Sequence, residues 1–292
     1  MIIVNPVAGR PATRDGRDRA ALAAGALGRA GIRGAVHLTR GRGHAAELAR
    51  VAVAGGASLL CAWGGDGTVN EVARACVGGA VSLGIVPAGS GNGLARELGL
   101  PRDPSRALDV ALGGRERTID AGEVDGRLFV NLAGLGFDAT VAACYDQRGP
   151  RRRGGWPYVA ISVRELFRYR PGEYAIRLDD GEPWRGPALL VVCANARQYG
   201  GGAVIAPAAR PDDGRLDLVV VGPRPPLATL VAARHLFRGT LPRAAGVRTA
   251  TFSVAEIRGP APLAFHVDGE PGQGGSALTV RVRPGALRVR VP

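Results

Sequence analysis

A glycine-rich segment, Gly64-Gly65-Asp66-Gly67-Thr68-Val69-Asn70-Glu71, lies between an apolar run, Ser58 to Trp63, and a helical pattern that begins at Val69; it restricts the fold more than any other feature of the chain. Glycines lack a Cβ and let backbone N–H groups close on phosphate oxygens, and a helix start adds the positive end of its dipole. Asp66 is placed to reach Mg²⁺ directly or through water, and Thr68 to donate to a phosphate. A plain strand-to-helix turn would need one glycine, not three around an aspartate.

A second loop, Pro87-Ala88-Gly89-Ser90-Gly91-Asn92-Gly93, follows the apolar run Val81 to Val86 and opens another helix at Leu94. Alone it is a weak signal, since Pro, Gly, Ser and Asn are ordinary turn residues. Two such loops on neighbouring strands make a nucleotide site. The segment Asn5-Pro6-Val7-Ala8-Gly9 also lies just past a strand, Met1 to Val4, and is placed to wrap a nucleotide from a third side.

These loops sit in a wider rhythm. Apolar runs at Met1 to Val4, Ala35 to Leu38, Ser58 to Trp63 and Val81 to Val86 alternate with helical patterns at Ala20 to Ala30, Ala45 to Val53 and from Val69. That is the βα alternation of a doubly wound parallel sheet, whose ligands bind at the carboxyl ends of the strands. After Asp120 the pattern becomes strand segments separated by Gly, Pro and Asp turns: Leu128 to Leu132, Tyr174 to Leu178, Ala188 to Ala194, Leu216 to Val221, Thr251 to Ile257, Leu263 to Val267 and Leu278 to Val282. Helices are expected at Pro157 to Tyr169 and Leu227 to Phe237, and Ala286 to Val291 alternates like an edge strand. The expectation is an α/β nucleotide-binding domain over residues 1–120 and an antiparallel β-rich domain over 121–292, with the tail free to pack back on the first.

All 38 basic residues are arginine, against 25 acidic ones, for a net charge of +13. With no lysine the chain lacks the residue that a Walker A loop places on the β- and γ-phosphates. Phosphate must be held by glycine backbone, Asp, Thr and Arg. The positive excess suits anionic membrane surfaces and nucleic acid alike, although no nucleic-acid recognition motif or aromatic stacking stripe is present. The four cysteines form no CxxC pair, and Met1 to Val4 runs into a strand without a basic leader or cleavage site. No apolar run approaches the roughly 18 residues of a membrane span. A cytoplasmic protein, peripheral at the inner membrane face, is expected, with a homodimer left open.

Taken in order and spacing, Asn-Pro-x-x-Gly after the first strand, GGDGTVNEV near 64, PAGSGNGLAREL near 87 and HVDGEP near 266 resemble the diacylglycerol-kinase catalytic-domain family, bacterial soluble lipid kinases related to sphingosine kinases. The resemblance spans essentially the whole chain and implies an α/β domain akin to NAD kinases and phosphofructokinases followed by a β-sandwich. It implies an ATP site made by Asn5, Pro6, Val7, Ala8 and Gly9, by Thr39 before Gly43-His44-Ala45, by Gly65, Asp66, Gly67, Thr68, Val69, Asn70 and Glu71, and by Ser90, where family members often carry Thr. Asp120 lines up with an acidic residue of that family.

Phosphoryl transfer to an alcohol needs a group that accepts the hydroxyl proton. The tetrapeptide Asp-Gly-Glu-Pro occurs twice, at Asp180 to Pro183 and at Asp268 to Pro271, and six Asp-Gly dipeptides occur in all, so the motif alone does not choose. Asp-Gly is a favoured hairpin turn, which is the reading taken for Glu182. The resemblance places the family's catalytic Glu at the second copy. It makes Glu270 the general base, with Asp268 orienting it or assisting with metal and Asp66 completing the catalytic set.

The segment Ala209 to Asp217 resembles the family's structural Mg²⁺ loop, with Asp213 and the carbonyls of Arg210 and Arg215 as ligands. Arg148 to Arg153, followed by Trp156 and Tyr158 and extended by Arg164, Arg168 and Arg170, combines basic and interfacial aromatic residues and is the expected membrane-facing segment. The lipid acceptor is not read from spacing: diacylglycerol, sphingosine and ceramide all fit. An NAD-kinase-like enzyme with a soluble acceptor and a non-catalytic nucleotide- or lipid-binding regulator remain the rival readings.

Overall fold

In a computed structural model that describes residues 1–9, 16–147 and 155–292, with side chains from residue 157 onward in the last span, the chain divides into two units. One comprises Met1–Ile119 and Gly285–Pro292, the other Asp120–Pro284.

In the first unit β1 (Ile2–Val4), α1 (Gly16–Arg29), β2 (Val36–Leu38), α2 (His44–Ala54), β3 (Leu59–Gly64), α3 (Asp66–Cys76) and β4 (Ser82–Pro87) alternate as the hydropathy rhythm predicts. The short α4 (Gly93–Glu97) and then α5 (Pro104–Gly113) follow. The strands pair in parallel in the order β2-β1-β3-β4. The C-terminal segment adds beside β4, with Arg288 opposite Ser82 and Val289 opposite Leu83. Covered on both faces, β1, β3 and β4 are buried at nearly every position, which is why they read as unbroken apolar runs. Ala23, Ala26 and Leu27 of α1 and Ala107, Leu108 and Ala111 of α5 pack on Ile2, Val4, Cys61 and Val86. Helix α5 was not expected, yet its start is written in the sequence: Asp103 caps it by accepting from Arg106 N (2.9 Å), with Pro104 in the first turn.

The second unit begins within β5 (Arg115–Val124), which pairs with β6 (Arg127–Phe129); then come β7 (Leu132–Gly136), α6 (Phe137–Asp146), α7 (Gly155–Leu166), β8 (Gly172–Leu178), β9 (Trp184–Ala188) and β10 (Leu190–Ala194). After β11 (Gln198–Gly200), β12 (Ala203–Val204) and β13 (Leu216–Val221), two short helices, α8 (Pro226–Ala232) and α9 (Arg234–Arg238), lead to β14 (Val247–Phe252), β15 (Val254–Arg258), β16 (Ala264–Val267), β17 (Glu270–Gln273) and β18 (Ala277–Val291). One sheet runs β14-β13-β10-β7-β16-β17; within this unit β18, β15, β8 and β9 make a second antiparallel ladder. The two inner faces bury Leu135, Val191, Leu218, Phe252 and Phe265 against Phe129, Ile176, Ile257, Leu278 and Val280, so the unit is a β-sandwich.

Several boundaries differ from expectation for one physical reason. Ala188 to Ala194 and Thr251 to Ile257 are each two strands that change sheets at a single residue, Leu189 or Ser253. Both halves of each run face a core, so apolarity continues through the corner. The run Leu128 to Leu132 is likewise broken between β6 and β7, and Leu227 to Phe237 is broken at Ala233. Leu278 to Val282 and the expected edge strand Ala286 to Val291 are one strand, β18. The outer face of the six-stranded sheet carries a separate cluster in which Leu166, Leu189, Val192, Val219 and Leu241 pack with Leu236 and Tyr199.

Candidate functional site

The carboxyl ends of β2, β1, β3 and β4 carry, in that order, Thr39, the Asn5–Gly9 loop, the Gly64–Thr68 loop and the Pro87–Gly93 loop. Each is tied to its neighbour. Thr39 N donates to Val4 O (2.8 Å), Asn5 N to Trp63 O (2.8 Å) and Ala88 N to Gly64 O (2.8 Å). Asn5 Nδ2 donates to Thr68 Oγ1 (3.0 Å), and Asn5 Oδ1 accepts from Val7 N (3.1 Å), closing its own turn. Glycine is required where the loops touch. Gly9 lies at φ +85°, and a Cβ there would meet Ala88 O at 2.6 Å; a Cβ on Gly89 would meet Gly65 Cα at 2.7 Å.

Arg19, which the sequence did not single out, is the clasp of the first loop. Its Nη1 donates to Asn5 O (2.9 Å) and its Nη2 to Ala8 O (2.8 Å), with the guanidinium 5.9 Å over the Trp63 ring. Asp66 serves the second and third loops. Its Oδ2 accepts from Asn92 N (2.8 Å) and its Oδ1 from Gly93 N (2.7 Å), so the carboxylate holds the Pro87–Gly93 loop against the start of α3. Burial pushes the Asp66 carboxyl up, against the pull of those two N–H groups. At the head of α3 the first-turn N–H groups have no intrahelical partner, Gly67 has open space around it, and Ser90 is exposed. The loops thus offer backbone donors on an open rim.

Glu71 reaches the start of the neighbouring helix α2. Oε1 accepts from Gly43 N (2.9 Å) and Oε2 from Ala45 N (3.1 Å) and Ala46 N (3.3 Å). It caps α2, whose own N-cap is Gly43, a residue with no side chain to do so. Val69 and Asn70 are buried in α3 beside it. Glu71→Ala would strand three donors, the Ala45 N–H among them buried, and a loss of about 1–3 kcal/mol is expected in urea unfolding, with part regained in Glu71→Gln. Stability unchanged in Glu71→Ala would mean that water caps the helix equally well.

In the second unit Asp268 and Gly269 form the turn between β16 and β17, both with positive φ (+49° and +83°), and Val267 pairs with Glu270. That is the geometry of a two-residue hairpin turn. Asp268 Oδ2 accepts from Val130 N (2.8 Å), and Oδ1 accepts from Asn131 N (3.0 Å) and Leu132 N (2.9 Å). Its carboxylate therefore anchors the hairpin to the turn before β7. Glu270, half-buried, opens β17, whose backbone is gripped by Arg127: Nη1 donates to Pro271 O (3.1 Å), and the guanidinium lies 5.2 Å over Phe265. Behind the hairpin is a buried polar group. His266 Nε2 and Asp138 Oδ2 are 2.6 Å apart, Tyr199 OH donates to Asp138 Oδ1, and Gly269 N donates to His266 Nδ1 (3.1 Å). Burial, then the Asp138 charge, holds the Tyr199 hydroxyl well above its ordinary value.

In the segment 209–217, Asp213 Oδ1 accepts from Arg215 N (3.0 Å), Asp120 Oδ2 accepts from Gly214 N (2.7 Å), and Asp120 N donates to Pro211 O (2.6 Å). Asp120 is thus a loop anchor within the second unit. The Arg215 guanidinium turns away to Thr251 O (3.0 Å) and Asp179 (3.4 Å). Burial, with the Asp213 charge added, pushes Asp217 up to about 6. Among the described residues no group of three or more His, Cys, Asp or Glu side chains is arranged to hold a metal. Residues 148–154, with Arg148 to Arg153, lie outside the described residues, as does the Trp156 side chain. No helix among the described residues is long and apolar enough to cross a membrane.

Comparison with known proteins agrees with this architecture. The family model described as the diacylglycerol kinase catalytic domain matches residues 1–124, and that described as the YegS C-terminal NAD kinase beta sandwich-like domain matches residues 131–291. A probable lipid kinase YegS-like protein of Pseudomonas aeruginosa is 36% identical over 284 residues, covering 95% of this chain and 91% of that one. Its counterpart in Klebsiella pneumoniae is 31% identical, covering 88% and 86%. Among solved structures, a putative diacylglycerol kinase from Bacillus anthracis superposes with a TM-score of 0.81 at 20% identity, covering 100% and 96%. An NAD kinase from Archaeoglobus fulgidus in complex with ATP gives 0.55 at 13%, covering 99% and 92%. These two likenesses are of fold, and they bear out an α/β nucleotide-binding domain followed by a β-sandwich. With both family models matched in sequence order and relatives of more than 30% identity along almost its full length, the chain belongs to the YegS-like family of bacterial lipid kinases.

Proposed function

We propose that this protein transfers the γ-phosphoryl group of ATP to a hydroxyl of diacylglycerol or a closely related lipid. The observation that carries the reading is the convergence of three mutually tied loops on the head of α3, in a member of a lipid kinase family. Backbone N–H groups of the first turn of α3 hold the phosphates, with the helix dipole behind them. Asn5 to Gly9 and Thr39 frame the nucleotide, and Ser90 and Thr68 supply hydroxyls. Asp66, by fixing the Pro87–Gly93 loop, sets the distance between the two glycine loops.

In the transfer step a lipid hydroxyl oxygen bonds to the γ-phosphorus as the bond to the β,γ-bridging oxygen breaks, and ADP leaves. Glu270 accepts the hydroxyl proton. Asp268 positions it by pinning the hairpin turn, and Arg127 grips the hairpin backbone at Pro271 O. Mg²⁺ bound with ATP supplies charge neutralisation on the phosphates, in the way such transfers generally need. For a structural Mg²⁺, Asp213 with the carbonyls of Arg210 and Arg215 is the donor set. The outward turn of the Arg215 guanidinium leaves room for a cation there.

The test is incubation with γ-labelled ATP and Mg²⁺ in mixed micelles carrying diacylglycerol, monoacylglycerol, phosphatidylglycerol, sphingosine or ceramide, beside Asp66→Ala. Label is expected in diacylglycerol or a near relative, and lost in the variant. ATP binding without label in any lipid would move the assignment to a soluble acceptor or to a regulator.

A further inference from the structure

Two helical elements over the outer face of the six-stranded sheet turn apolar side chains to solvent. On and just beyond α7, Val159, Val163 and Phe167 recur every four residues and so form one stripe; Phe167 is 57% exposed. Ile161 is buried on the opposite side of α7, and Leu166 is buried at the edge of the stripe. On α8 and α9, Leu227, Val231 and Phe237 are exposed, Leu227 at 68% and Phe237 at 69%, while Leu236 packs inward. Leu166 and Leu236 enter the same apolar cluster, so the two helical elements cover one sheet face. Scattered exposed hydrophobics are ordinary, but a stripe of three and a second set beside it on one face are not.

The charge around them decides what they face. From Leu218 to Ala255 the chain has no Asp or Glu, while Arg224, Arg234, Arg238, Arg243 and Arg248 contribute five positive charges. Arg234, Arg238 and Arg243 are exposed. On α7 the flanking cations are Arg164, Arg168 and Arg170, and its one carboxylate, Glu165, is paired with Arg164 at 2.7 Å. Apolar tips among arginines that outnumber carboxylates are the composition of an element that lies in a membrane interface: rings and branched chains enter the acyl boundary while guanidinium groups meet anionic headgroups. A protein partner would need an acidic surface with apolar pockets, and a second copy of this chain would bring its own positive face against this one.

We propose that the outer faces of α7, α8 and α9 together form the surface by which this protein docks on an anionic lipid bilayer. The surface includes Arg164, Arg168 and Arg170, already expected at the membrane from sequence, and extends it to a helix pair that sequence did not assign. The docking rests on the lipid kinase reading for its purpose but not for its measurement, since binding to vesicles requires no turnover. It also explains how an acceptor held in a bilayer is brought to a protein with no helix, among its described residues, long and apolar enough to cross a membrane.

The experiment uses the full chain and phosphatidylcholine vesicles with and without phosphatidylglycerol, read by flotation. Wild type should float only with phosphatidylglycerol present. Arg234→Glu with Arg238→Glu should weaken binding at least about 25-fold, about fivefold for each lost charge of ~1 kcal/mol. Leu227→Ser with Phe237→Ser, and separately Val163→Ser with Phe167→Ser, should each weaken it by about tenfold or more without changing the salt dependence. All these positions are exposed, so folding is expected to hold, and unfolding midpoints check it. Phosphorylation of a short-chain, monomeric diacylglycerol should stay at the wild-type rate while that of vesicle-borne diacylglycerol falls. Flotation unchanged in all three double variants, or absent in wild type, overturns the docking surface. So does a wild-type dimer that the same substitutions dissociate, for then the face covers a second copy. If flotation behaves as expected but no diacylglycerol is phosphorylated in any form, the surface stands and the kinase reading falls.

Discussion

Glu270→Gln is expected to lower kcat for lipid phosphorylation by about 10²–10⁴-fold, the usual contribution of a general base, with KM for ATP within about twofold of wild type. Glutamine keeps the shape and the backbone pairing of Glu270 with Val267 but cannot take the proton. The nucleotide loops lie in the other unit. The matched control is Glu182→Gln, in the first Asp-Gly-Glu-Pro copy, where less than a twofold effect is expected. Glu182 is exposed, and the turn before it is built differently: Asp179 holds the positive φ there, and Gly181 N donates to Leu178 O (2.9 Å). Steady-state rates on micellar diacylglycerol with both variants decide it. A Glu270→Gln enzyme with a wild-type rate would place the base elsewhere, and Asp66 would not replace it easily, because both its oxygens are engaged by Asn92 and Gly93.

The two copies of that tetrapeptide show where sequence reading stops. Four identical residues become an exposed turn in one place and a pinned hairpin in the other, and the difference lies in partners far along the chain. Asp268 is held by Val130, Asn131 and Leu132, more than a hundred residues earlier. The βα half was legible because its signals are local: glycines after buried strands, and helices with one apolar face. The loops were legible for the same reason, though not the jobs inside them. Asp66 and Glu71 read as ligand-facing carboxylates, yet both spend their oxygens on backbone N–H groups of neighbouring segments. The sandwich half was legible as strands but not as sheets, since a corner such as Ser253 leaves the hydropathy pattern unchanged. Helix α6 went unread because Gly136-Phe137-Asp138-Ala139 looks like a turn after a strand, and with it went Asp138.

Asp138→Ala should be the most destabilising of the substitutions considered, by about 3–5 kcal/mol, or a Tm lower by roughly 6–20 °C. Asp138 is 2% and His266 4% exposed. Removing the carboxylate leaves His266 Nε2 and the Tyr199 hydroxyl in the interior without their acceptor. A pH series separates this from mere cavity formation. Burial lowers the His266 pKa, but the charge and hydrogen bond of Asp138, with the charge of Asp268, outweigh it and hold the imidazole above its ordinary value. The folded state therefore binds that proton more tightly than the unfolded chain. The resulting stabilisation is full below pH ~6.5 and is lost as pH rises through the folded value, so wild type should lose stability over that window and Asp138→Asn should lose less. Activity should run the other way. Gly269 N donates to His266 Nδ1, which requires that nitrogen to be unprotonated, so acid that protonates it removes a bond one residue before Glu270. Chemical unfolding across pH 5 to 9, paired with kcat at each pH, tests both signs at once. Parallel stability curves for wild type and Asp138→Asn would mean that the pair does not titrate, and the buried group would then act as a neutral hydrogen-bonded brace behind the hairpin.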